Sequence, residues 1–164
     1  MDDGELIEAR ATVFGRAFVL TQHLTRLTDA ALTDWDLTTR QWLLLAILHR
    51  GFPDRSPSLS EAAEAYGSSR QNVKQIALGL EARGYVRLVP DAVDGRTTRI
   101  EVTELARVFD EPEGMAKGHA LLEQAFAGLS GDETLALRDL LVRWVDFLAA
   151  RSSEPPGDRQ GRSR

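Results

Sequence analysis

Cysteine is absent from this 164-residue chain, which excludes a disulfide framework, a cysteine-ligated zinc or iron–sulfur site, a cysteine nucleophile and a thiol redox switch. Long apolar runs are missing as well. No stretch reaches about 18 apolar residues, so nothing reads as a transmembrane helix. The opening Met1-Asp2-Asp3-Gly4-Glu5 is acidic where an export signal would be basic and then apolar. The expectation is a soluble cytoplasmic protein without a membrane partner. Catalytic signatures are lacking too: there is no Gly-rich phosphate loop, no G-x-S-x-G elbow and no H-E-x-x-H pair. His23, His49 and His119 lie far apart and make no ligand spacing. We therefore expect no enzyme, no metal site and no cofactor.

What is present can build one core: 43% of the residues are hydrophobic, and a chain of this length accommodates one domain with an added oligomerisation element. A net charge of -5 argues at first against a nucleic-acid partner, because phosphate affinity comes from Lys and Arg. The distribution answers this. Between Ser68 and Arg99 six bases (Arg70, Lys74, Arg83, Arg87, Arg96, Arg99) face three acids (Glu81, Asp91, Asp94), so this window carries +3 and the rest of the chain -8. A basic reading surface on an acidic body has this form.

Apolar residues Leu6, Val13, Phe14, Ala17, Leu20, Leu24 and Leu27 recur mostly at spacings of three, four and seven, which predicts one long helix with an apolar stripe. Trp42-Leu43-Leu44-Leu45-Ala46-Ile47-Leu48 is apolar nearly all round, as in a central buried helix, and Gly51 to Pro57 closes it with a loop. Ser58-Leu59-Ser60-Glu61 is a capping-box sequence opening a short helix that stops at Gly67. Ser68-Ser69-Arg70-Gln71 repeats the device as S-x-x-Q. The helix it opens carries Val73, Ile76, Ala77 and Leu80 on one side, with Gln71, Gln75 and Ala82 opposite and Asn72 and Lys74 flanking them. Leu78 falls on that exposed side without an evident role beyond contact with a neighbouring hairpin.

Two β-prone segments, Tyr85–Pro90 and Thr97–Val102, flank a loop in which Asp94-Gly95 signals a tight hairpin turn. Short helix, turn, longer helix and hairpin make the order of a winged helix-turn-helix. Helical pattern resumes at Thr103, and Pro112 should kink that helix or start a new one. A last helix is predicted from Asp132, capped near Leu129-Ser130-Gly131, with Leu135, Leu137, Leu140, Leu141, Trp144, Val145 and Leu148 in near-heptad spacing. The stretch 151–164 has no aliphatic or aromatic residue and should be disordered.

From Ser58-Leu59-Ser60-Glu61-Ala62-Ala63 through Ser69-Arg70-Gln71-Asn72-Val73, Leu80 to Val86 and Asp94-Gly95-Arg96 to Val102-Thr103, the chain resembles the MarR (multiple antibiotic resistance regulator) family. The likeness continues to Leu129-Ser130-Gly131-Asp132-Glu133 and Leu140-Leu141 and covers roughly residues 5–150. It implies a mainly α fold with a small β-hairpin wing: residues 1–34 as an N-terminal dimerisation helix, 35–107 as the winged helix-turn-helix, 108–150 as C-terminal dimerisation helices and 151–164 as a tail. It further implies a homodimer that grips a pseudo-palindromic double-stranded operator, most often as a repressor. Two positions depart from the family pattern: Gly95 stands where such hairpins often carry a base, and Pro112 where the family often runs one long helix.

The candidate DNA contacts are Ser68, Ser69, Arg70, Gln71, Asn72, Lys74 and Gln75 on the helix, and Asp94, Arg96 and Arg99 on the wing. Gln and Asn can bond adenine bidentately, Arg and Lys reach guanine or phosphate, and serines serve phosphates as well as caps. A wing arginine in a narrow minor groove gains from its negative potential, with Asp94 orienting the guanidinium. Each signal has a plainer reading as a solvated helix face or a simple hairpin turn. Trp35, Trp42, Trp144 and Tyr66 are open to two readings, core packing or a pocket for an aromatic or anionic effector. The competing function is a winged-helix module whose helix face contacts protein instead of DNA.

Overall fold

A computed structural model describes residues 2–152. Helix α1 runs from Asp3 to Ala31, 29 residues, or about 44 Å at the usual rise. Thr28 is its one buried residue. Its C-terminal turn is tied to the next helix by polar bonds: the Thr39 amide and hydroxyl both donate to Oδ1 of Asp29 (2.7 and 2.8 Å), and the hydroxyl also reaches the carbonyl of Thr25 at 3.1 Å.

Helix α2, Thr39–Gly51, starts with a complete capping box in which Gln41 Oε1 accepts from the Thr38 amide at 3.0 Å. Leu44, Leu45 and Leu48 face inward from it. Helix α3, Leu59–Tyr66, is capped by Ser58 and Glu61 as its sequence predicts. It ends at Gly67, whose φ of 70° lies in the left-handed region, where a Cβ is unfavourable.

Helix α4 spans Arg70–Ala82, and its cap differs from the expected one. The amide of Ser68 is already spent on the carbonyl of Ala63 (3.0 Å), closing α3. That amide is thus not free for a reciprocal bond with Gln71, and the helix is capped by Ser69, whose hydroxyl accepts from the Asn72 amide at 3.2 Å. Ser68 instead accepts from the Asn72 side-chain amide at 2.8 Å. Gln71 takes no part in the cap.

Strands β1 (Val86–Pro90) and β2 (Thr98–Val102) pair antiparallel, with Val86 opposite Val102 and Leu88 opposite Ile100. The Ile100 amide also donates to the carbonyl of Pro57 (2.9 Å), and Ser58 bridges Arg99, so the segment before α3 lies along β2. Leu44, Leu48, Leu59, Val73, Leu80, Val86 and Ile100 are almost wholly buried together. Each such aliphatic side chain contributes about 1.5–3 kcal/mol relative to exposure. This core fastens α4 and the hairpin into one frame.

A 3-10 helix, Glu104–Phe109, follows the hairpin, and Pro112 opens helix α5 (Pro112–Phe126). A proline is tolerated at that first position because its missing amide would have no partner in the helix. Gly114 is required by close approach: a Cβ there would lie 2.2 Å from the carbonyl oxygen of Val108 and 2.8 Å from Phe109 Cα. By contact density the chain divides into two compact units, Met1–Ala125 and Phe126–Arg164. The second contains helix α6, Gly131–Ser152, capped reciprocally by Ser130 and Glu133. Apart from Arg151 and Ser152, which close α6, the stretch 151–164 lies outside the described residues. No helix among the described residues is long and apolar enough to cross a membrane.

Candidate nucleic-acid interface

On α4 the core residues Val73, Ile76, Ala77 and Leu80 hold one side, so at 100° per residue the opposite side presents Gln71, Lys74, Gln75 and Leu78, all exposed. Among the described residues no hydrogen bond or ion pair engages the side chains of Arg70, Gln71, Lys74 or Gln75. They are available to a partner. Asn72 is not equivalent to them, because its amide is bonded to Ser68 and the residue is half-buried. It braces the first turn from which the others project.

The six bases of the basic window divide into two sets. Arg83 binds Asp36 (3.0 Å) and the carbonyl of Gly79, and Arg87 pairs with Glu101 across the strands at 3.2 Å. Arg99 is held by Asp91, by the Ser56 carbonyl at 2.8 Å and, more distantly, by Glu61 at 3.9 Å. The remaining three, Arg70, Lys74 and Arg96, have no ion pair among the described residues. They mark where unneutralised positive charge is presented: the start of α4 and the tip of the hairpin.

That tip is not the two-residue turn that Asp94-Gly95 suggests, since the residues with positive φ are Asp36, Gly67 and Gly84 and Gly95 is not among them. The tip is a longer loop that ends in a turn centred on Gly95-Arg96, where the Thr97 amide donates to the Asp94 carbonyl (2.8 Å), and two aspartates shape it. Asp91 Oδ1 accepts from the amides of Val93 (2.9 Å) and Asp94 (2.8 Å), while Asp94 accepts from the Arg96 amide (3.1 Å) and the Thr97 hydroxyl (2.9 Å). Asp94 thus positions Arg96 through its backbone and not through its guanidinium. The Asp94 amide, then Arg99, hold the Asp91 carboxyl at a pKa of about 2, below the usual 3.8. Glu61 also falls to about 2, chiefly through the Ser58 amide, with help from the Ser58 hydroxyl and Arg55.

Sequence reasoning passed over Asp91 and Ser56 as partners of Arg99. The spacing of Asp91 three residues before Asp94 carried a usable signal, since an aspartate at a loop entry commonly accepts amides two and three residues on. The Ser56 contact depends on tertiary approach and left no local trace.

Three of the four candidate effector residues are accounted for by packing within the first unit. Trp35 stacks at a tilt on Phe109 (5.1 Å) beneath Lys117, Trp42 and Tyr66 pack against the core, and Trp144 belongs to the second unit. A cavity of about 390 Å³ lies elsewhere, lined by Leu48, His49, Phe52, Arg55, Ile100 and Val102 among others. Among the described residues no three His, Asp or Glu side chains are grouped to hold a metal ion.

Residues 35–97 match the model of the MarR family. Over 110 residues, 67% of this chain, the sequence is 29% identical to the transcriptional activatory protein BadR of Rhodopseudomonas palustris, and the match spans 63% of that protein's length. The fold is that of solved regulators. A structure of Bordetella bronchiseptica BpsR, whose DNA binding is described as regulated by 6-hydroxynicotinic acid, superposes with a TM-score of 0.70 at 22% identity, covering 82% of this chain and 98% of that one. A mutant MarR from E. coli complexed with operator DNA gives a TM-score of 0.70 at 19% identity, covering 87% and 98%.

Proposed function

We infer that this chain, whose residues 35–97 match the MarR family model, binds double-stranded DNA sequence-specifically as a homodimeric transcriptional regulator. The observation that carries the reading is the α4 face: Gln71, Lys74 and Gln75 project from a capped helix start with no side-chain partner among the described residues, opposite a buried apolar side. α4 enters the major groove, where Gln71 and Gln75 read base edges. Ser68, Ser69, Arg70 and Lys74 serve the phosphates. Arg96 approaches the minor groove from the hairpin tip. Asn72, Asp94 and Arg99 act behind these contacts, holding the helix start and the loop.

Dimerisation rests on uncovered apolar surface. Phe14, Phe18 and Leu20 of α1, and Leu135, Leu140 and Val145 of α6, are each roughly half or more exposed. Such faces are covered in a two-fold assembly. Residues 1–34 and 108–150 supply this contact and 35–107 the DNA-binding part. The regulator works in the cytoplasm, where its operator is, and represses by occupying a pseudo-palindromic site. A small aromatic or anionic effector releases it by binding two dimer conformations unequally, without which no shift occurs. The existence of such an effector for the Bordetella protein supports this reading.

A mobility-shift titration at two salt concentrations tests the DNA reading. A steep loss of affinity with salt is expected from phosphate contacts. Binding to no DNA sequence in a random pool would replace the reading by the protein-interaction module.

A further inference from the structure

Leu78 lies in the middle of the α4 face assigned to DNA, and the polar contacts assigned there leave it unexplained. Counting 100° per residue, it points within about 20° of Gln71 and between Lys74 and Gln75, nearly opposite the buried Leu80. It is 39% exposed, and it belongs neither to the core cluster nor to the side chains packed on it. An isolated exposed leucine is ordinary on a protein surface, but this one stands in line with three polar side chains on the helix whose other side anchors the domain.

The geometry points to Leu78 as an apolar specificity residue that packs on the C5-methyl group of a thymine in each operator half-site. This rests on the DNA reading above and adds to it the base that one further position selects. Thymine is the one standard base that presents a methyl group in the major groove, and apolar side chains recognise it by contact and exclusion of water. The seven-residue step from Gln71 to Leu78 covers about 10.5 Å along the helix, close to three base-pair steps of about 3.4 Å. Gln71 and Leu78 therefore address different base pairs. A leucine has no hydrogen-bonding group to offer a guanine, cytosine or adenine edge, so its contact discriminates for the methyl group alone.

The experiment uses the full chain and an operator selected from random DNA, with each thymine replaced in turn by deoxyuridine, which removes that methyl and nothing else. Native protein should lose about three- to fivefold in affinity per half-site at one symmetry-related thymine pair. Leu78→Ala should bind the thymine operator correspondingly less tightly and show no further loss on deoxyuridine there. Leu78→Met, which keeps the apolar reach, should recover most of the thymine preference. Thermal melting of each variant checks that the exposed substitution leaves the fold intact. Equal deoxyuridine effects in native protein and Leu78→Ala at every position would overturn the assignment while leaving DNA binding in place. Failure of the native chain to select any DNA would overturn the DNA reading itself, and this proposal with it.

Discussion

Arg99 donates from Nε to Oδ2 of Asp91 across the root of the hairpin loop, and its Nη1 reaches the Ser56 carbonyl at 2.8 Å. One guanidinium thus joins the wing to the segment that precedes α3. The same aspartate holds the amides of Val93 and Asp94, so the pair should govern the order of the loop more than the stability of the core. Arg99→Ala is expected to speed hydrogen exchange at the amides of residues 93–97 while leaving those of α2 and α4 protected. Unchanged exchange in the loop would remove the tethering role.

Asp91 and Glu61 give the protein a defined acid sensitivity. Both carboxyls have folded pKa values of about 2, below their ordinary values of 3.8 and 4.5. A depressed carboxylate contributes its stability above the unfolded pKa and loses it as pH falls through the folded one. The contribution is complete above about pH 5 and fades between roughly pH 4.5 and 2. Melting temperature should fall over that window, and the Asp91→Asn/Glu61→Gln double variant should fall less steeply. Parallel curves for the two proteins would refute the assignment.

Much of this architecture is local enough to read from the chain. The Ser58/Glu61 and Ser130/Glu133 caps, the buried Val73–Leu80 side of α4 and the helix start at Pro112 all depend on neighbours within about seven residues. The misreadings arise where two adjacent motifs compete for one group. The Ser68 amide closes α3 and so is not free for a reciprocal bond with Gln71, and the turn that forms at the hairpin tip is centred one residue later than Asp94-Gly95, with the Thr97 amide donating to the Asp94 carbonyl around Gly95-Arg96. For the interface, residue type located the polar face, but only packing could separate the engaged arginines 83, 87 and 99 from Arg70 and Arg96.

Phe14 and Phe18 stand one helical turn apart in edge-to-face contact, with centroids 5.1 Å apart, yet they are 60% and 63% exposed. Paired aromatics left in water are a costly surface unless a partner covers them. A Phe14→Glu/Phe18→Glu variant should sediment as a folded monomer at micromolar concentration where the native chain sediments as a dimer. Native monomer under those conditions would sink the dimer reading.

Gly67 adopts φ 70°, ψ 35° between α3 and α4, and no atom beyond its chain neighbours lies within 4 Å of where its Cβ would be. Substitution therefore meets backbone strain alone. Gly67→Ala should cost about 1–2 kcal/mol, visible as a melting temperature several degrees lower, and Gly67→Asn should cost less because asparagine tolerates this region better. Equal effects of Ala and Asn would mean that the left-handed conformation is not what limits the turn.

The free and the engaged arginines of the wing should fail differently from each other and from the glutamines of α4. Gln71 and Gln75 have exposed amides on the side of α4 away from the core, so replacing either with Ala should cost about 1–3 kcal/mol at one base pair per half-site and relax preference there. Arg96 is exposed and without an ion-pair partner among the described residues, and in the proposed reading it contacts backbone and senses groove width. Arg96→Ala should weaken binding to many sequences alike and make the salt dependence shallower by about one unit per arm, because one fewer phosphate counterion is released. Arg99 is committed to Asp91 and Ser56. Arg99→Ala should leave the salt slope unchanged even where loop disorder lowers affinity. Salt titrations of the three variant types on matched and mismatched operators separate these outcomes. A shallower slope for Arg99→Ala, with none for Arg96→Ala, would exchange the two arginines' roles.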